Sequence, residues 1–176
     1  TIVAAINSLS SNAISREGKH FSFMKYIPVP YFTQWNVKAF VGIIFPAVGV
    51  LIYFIPACIL VQVPISHIIV FVLLSLMSIT FVSYMGIYID SIQPKLIWDD
   101  EMSALRENYN TFFAMACSIG FTLIVCVGGF FLFCNTHISI AFTAMLLLLI
   151  LATANLIVLY LTNRSGIRNI EEQEEA

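Results

Sequence analysis

Four stretches of this chain run for more than twenty residues without a Lys, Arg, Asp or Glu: 39–61, 66–89, 111–134 and 138–162. A bilayer core about 30 Å thick is crossed by roughly 20 apolar residues in helical form. A lone segment in lipid must satisfy its own backbone hydrogen bonds, which leaves helix as the form for each run. Composition agrees. Of 176 residues, 60% are hydrophobic and only 10% charged, and mean hydropathy is +0.93. Soluble domains carry about 25% charged residues. The sequence predicts an all-α, polytopic helical membrane protein with four transmembrane helices in a domain over 39–162.

The charges lie outside these runs. Segment 14–38 holds Arg16, Lys19, Lys25 and Lys38 against Glu17. Segment 90–110 holds Lys95 and Arg106 against Asp90, Asp99, Asp100, Glu101 and Glu107. The acidic tail, 163–176, holds Arg164 and Arg168 against Glu171, Glu172, Glu174 and Glu175. The links between spans one and two and between spans three and four carry no charge. With four spans the three charged segments fall on one side. Basic loop residues mark the cytoplasmic side. The expectation is a multi-pass protein of the plasma membrane with segment 14–38, loop 90–110 and the tail all cytoplasmic. Residues 1–13 resemble the end of a preceding helix.

Polar and special residues refine the spans. Pro46 and Pro56 fall inside the first and should kink it, since proline removes a helical hydrogen bond. Such a bent helix either packs or lines a pathway. Ser118, Gly120, Thr122, Gly128 and Gly129 allow close packing along the third. Asn155, the one amide within a span, is expected to bond a neighbouring helix. Trp35, Trp98, Tyr84, Tyr88, Tyr109 and Tyr160 fit an interfacial aromatic belt. His67 and His137 fall at outer ends. Cys58, Cys117, Cys126 and Cys134 form no CxxC pair, and their spacings do not stack them on one face. They read as small buried apolar residues.

Enzyme signatures are missing. There is no HExxH, no GxSxG, no carboxylate pair within a span and no nucleophile–base pair. Gly18-Lys19-His20 resembles the end of a phosphate-binding loop, but position 13, where that motif needs glycine, is Ala, and His follows the lysine. Asp99-Asp100-Glu101 could ligate a cation, but acidic residues also favour a helix N-terminus, and a helix over DDEMSALRENYN is the plainer reading. No metal site and no nucleic-acid partner are expected.

The most basic stretch is SREGKHFSFMKYIPVP, residues 15–30. Residues 14–27 read as a short helix closed by Pro28 and Pro30. Its first half is polar; its second half carries Phe21, Phe23, Met24 and Ile27. Such a helix can rest on anionic membrane lipid or dock its aromatic tip in a partner.

These residues carry a resemblance. E-G-x-x-F-x-F-M-K-x-I-P-V-P, followed by Lys38 and a span, is similar to the cytoplasmic segment between the second and third helices of type-2 ABC transporter permeases. A bacterial subgroup of such permeases is a closer match: residues 15–29 resemble its S-R-E-G-K-x-F-x-x-x-K-x-x-P-V pattern, and Asp90, Pro94, Lys95, Leu96 and Trp98 resemble its D-x-x-x-P-K-L-x-W pattern. Phe23 stands where relatives often carry Trp, and Pro30 where Ser is common. The resemblance covers nearly the whole chain, as the C-terminal part of a permease. It implies a cytoplasmic coupling helix in which Glu17, Gly18, Phe21, Met24 and Pro28 meet a separate ATP-binding subunit. ATP and Mg would be bound by that partner, with no cofactor in this chain. It implies a transport subunit, not an enzyme, pairing with a second permease copy and exporting an amphiphilic or peptide-like substrate. The alternative is a non-transporting membrane scaffold or sensor.

Overall fold

In the computed structural model the described residues are 8–18, 26–96, 109–135, 139–166 and 168. Among them the chain forms a short helix α1 (Ser8–Ser11) and four long ones: α2 (Tyr31–Val61), α3 (Ile65–Ile92), α4 (Tyr109–Asn135) and α5 (Ile140–Leu161). A wide π turn, Thr162–Gly166, follows α5. All four long helices are long and apolar enough to cross a membrane, as a helical membrane protein requires.

α2 starts at Tyr31 instead of Ala39, so helix runs about two turns beyond the apolar run. At 31 residues it is about 46 Å long, longer than a bilayer core. Hydropathy marks the segment that lipid must surround, whereas a helix continues wherever its polar side chains find partners. Pro30 fixes the entry, with the N–H groups of Thr33 and Gln34 donating to its carbonyl. At the far end Gln62 takes a left-handed conformation, φ 53°, and its N–H caps the Cys58 carbonyl. Pro64 then opens α3. The two internal prolines differ in setting: Pro46 is buried against the bundle, whereas Pro56 is exposed.

α3 is the central helix. Ile79, Phe81 and Val82 pack with Val158 of α5, and partly buried Ile43, Ala47 and Val50 of α2 and Ile119 and Phe121 of α4 lie against them. A second cluster at the charged end joins Ile14, Trp35, Ala39 and Ile87. Outward faces carry large apolar side chains such as Phe45, Leu60, Ile124 and Leu149, as a lipid-facing surface should.

Two expectations change here. Trp35 is not a belt residue: it is 1% exposed, in the core between Ile14 and Ile87. Its amphipathic ring suits either place, and Ala13 and Ile14, in the turns after α1, supply the cover that a bare span end would lack. Among the cysteines only Cys58 is buried; Cys117, Cys126 and Cys134 are exposed on α4, where lipid accepts a thiol as readily as a core does. Asn155 behaves as expected, its Nδ2 donating to the Met77 carbonyl of α3 at 2.9 Å. Of the small residues of the third span, Gly129 approaches Leu147 of α5, while Gly120 and Gly128 face open space.

Candidate functional site

α1 and the turns after it form a wedge, residues 8–18, at the charged end of the bundle. Glycines give it a seat. A Cβ on Gly42 of α2 would overlap the Ser10 side chain, and one on Gly86 of α3 would stand 3.0 Å from the Ser11 backbone N. The chain then winds through turns at 12–14 and one 3-10 turn at 15–18. The N–H of Arg16 donates to Asn12 O and that of Glu17 to Ile14 O, both at 3.0 Å. Gly18 closes the turn at φ 49°, a left-handed conformation that glycine adopts without strain.

The N–H groups of Ile14 and Ser15 turn toward Asp90, which accepts both. Its Oδ2 accepts from Ile14 N at 2.7 Å and Ser15 N at 2.9 Å. Its Oδ1 accepts from Ser15 Oγ at 2.5 Å and Asn110 Nδ2 at 3.2 Å. Asp90 was expected in the cytoplasmic loop; it lies in the last turn of α3 and is 0% exposed. A carboxylate there opposes the helix dipole, and no basic residue shares that turn. Such a conflict between local preference and fold marks a tertiary requirement, here the four donors that converge on it.

Further bonds tie the wedge to every element around it. Lys95 N donates to Ser15 Oγ at 3.0 Å. Thr111 Oγ1 of α4 donates to Asn12 Oδ1 at 2.8 Å, and Asn110 Nδ2 also reaches the Gln93 carbonyl at 2.6 Å. From α2, Lys38 Nζ bridges the Ala13 carbonyl at 2.9 Å and Glu17 Oε1 at 2.8 Å. Nearly two turns back along α3 from Asp90, Tyr84 OH donates to Asn36 Oδ1 at 2.5 Å.

The other expected site residues sort as follows. Ser15, Glu17, Gly18, Asp90 and Lys95 come together. Pro94 follows α3 directly and is half-buried. Pro28 lies in an exposed bend at 27–29 and Pro30 starts α2; residues 19–25 of the helix expected over 14–27 lie outside the described residues. Phe21, Met24, Trp98, His137 and the Asp99-Asp100-Glu101 cluster lie outside the described residues, as does the DDEMSALREN part of the helix expected there. Sequence reasoning missed Asn12, Asn110 and Thr111. Their one signal was amide and hydroxyl residues immediately beside apolar runs.

Ser15 and Asp90 form a hydroxyl–carboxylate pair, but both are 0% exposed and Lys95 N already occupies the serine oxygen. Among the described residues no three His, Cys, Asp or Glu lie close enough together to hold a metal. The chain matches no protein-family model, no curated protein and no solved structure.

Proposed function

We propose that this chain is the membrane-spanning permease subunit of an ATP-driven ABC transporter, powered by a separate cytoplasmic ATP-binding subunit and exporting an amphiphilic or peptide-like substrate. The supporting observation is the meeting of Ser15 with Asp90, 75 residues apart in sequence. The two motifs that resemble such permeases are distant in the chain, yet they interlock at one end of the bundle. The basic residues of that end favour the cytoplasmic side.

On this reading the wedge is the anchored root of the coupling segment. Phe21 and Met24 seat on the ATPase, while Glu17 and Gly18 connect them to the bundle. Force applied there reaches α3 through Asp90 and α2 through Lys38. Rigid-body displacement of packed helices is an established form of switching. A second permease copy completes the transporter.

Co-purification tests this. The full-length protein extracted from its native membrane should carry a P-loop ATPase, and Phe21→Ala should lose it while remaining monodisperse. If no ATPase co-purifies, or Phe21→Ala retains it fully, the permease reading fails and a scaffold or sensor role takes its place.

A further inference from the structure

Helices α3, α4 and α5 enclose a cavity of about 160 Å³, away from the wedge. Ser78, Phe81 and Leu151, all buried, form its floor. Phe121 forms a wall, stacked on Phe81 with ring centroids 4.3 Å apart. Phe71, 51% exposed, and the exposed Cys126 stand at its mouth, so it opens sideways toward lipid. Ser75 lies ten residues beyond Ile65, the first residue of α3, about 15 Å along the axis. That is half the thickness of a hydrocarbon core.

Several threonines of the bundle spend their hydroxyl proton on a carbonyl one turn back, Thr80 at 2.8 Å, Thr122 at 2.7 Å and Thr162 at 2.8 Å, whereas serines such as Ser118 leave theirs without one. The hydroxyls of Ser75 and Ser78 line the cavity and form no hydrogen bond with any described residue. Polar groups without partners are costly at this depth. These two offer donors to whatever enters.

Size, walls and depth define the occupant. An apolar cavity of about 150 Å³ takes a benzene-sized group, and aromatic walls pack rings well. An acyl tail brings no acceptor, and phospholipid esters sit nearer the interface. We propose that this cavity binds an oxygen-bearing ring, phenol-like or quinone-like, of a membrane-dissolved molecule, with Ser75 and Ser78 hydrogen-bonding its oxygen. The proposal stands apart from the permease reading, because neither the wedge nor an ATPase enters it.

The test is photolabelling of the full chain in phosphatidylcholine nanodiscs with a diazirine-substituted phenol, beside the matching diazirine-substituted toluene. The phenol should label Cys126, Phe121 or Leu147 saturably, and unlabelled 4-ethylphenol should compete. Ser75→Ala and Ser78→Ala should each weaken phenol labelling about fivefold, the worth of one hydrogen bond, and leave toluene labelling unchanged. Scattered, non-saturable labelling of outward residues would overturn the site. Equal labelling in the serine variants, or competition by oleic acid as strong as by 4-ethylphenol, would overturn recognition of the oxygen.

Discussion

Replacing Asp90 by alanine should release the wedge from the bundle. The carboxylate accepts from the backbone N–H groups of Ile14 and Ser15, from Ser15 Oγ and from Asn110. Each buried N–H left unpaired costs about 1–3 kcal/mol. Two of them together destabilise the seated wedge by about 2–6 kcal/mol, and water entering the space left by the side chain favours the low end. Each 1.4 kcal/mol is a factor of about ten, so the open state should gain at least roughly thirtyfold. Arg16 is exposed but held in a 3-10 turn, so trypsin cuts the Arg16–Glu17 bond only after local opening. When opening is fast relative to cleavage, the cutting rate follows the open population. In detergent, with the cut mapped by mass spectrometry, Asp90→Ala should be cleaved there at least thirtyfold faster than wild type. Asp90→Asn, which keeps one acceptor oxygen, should fall between. Cleavage of Asp90→Ala at the wild-type rate, in a protein still monodisperse, would refute the claim that this carboxylate holds the wedge.

The glycine seat gives an asymmetric expectation. Gly86→Ala sets a methyl against the Ser11 backbone and should cost about 1–3 kcal/mol, whereas at Gly42 the obstacle is chiefly the rotatable Ser10 hydroxyl and the loss should be smaller; thermal unfolding in detergent ranks the two. The Lys38–Glu17 pair is 18% and 36% exposed, so Glu17→Gln should cost only about 0.2–1 kcal/mol, while Lys38→Met, which also abandons the Ala13 carbonyl, should cost more. A double-mutant cycle on the same cleavage assay measures their coupling, which should shrink at high salt.

The four spans were legible because lipid imposes one rule over more than twenty consecutive residues. Asn155 was legible for a related reason: an amide in hydrocarbon has few options besides a neighbouring backbone. Asp90 was not. A carboxylate just past an apolar run looks like the first residue of a loop, and what holds it in the helix is a pair of N–H groups 75 and 76 residues earlier. No local pattern encodes that pairing. Trp35 failed similarly, since a belt and a covered core ask for the same ring and only the turn at Ala13 and Ile14 decides between them. The glycines that matter for the wedge, Gly42 and Gly86, sit singly in different helices. The conspicuous Gly128-Gly129 pair contributes one modest contact.

The tie between Ser15 and Asp90 also sets an order of events during synthesis. A ribosome adds about 5–20 residues per second, so the 75 residues between donor and acceptor take roughly 4–15 s to make. Throughout that interval two spans enter the bilayer while the first turns wait in water, their N–H groups hydrated. Docking begins only when the end of α3 emerges, and it finishes later still, once Asn110 and Thr111 arrive. Residues 8–18 are thus among the last of the bundle to settle, and every nascent molecule passes through a stage in which their seat is built but empty.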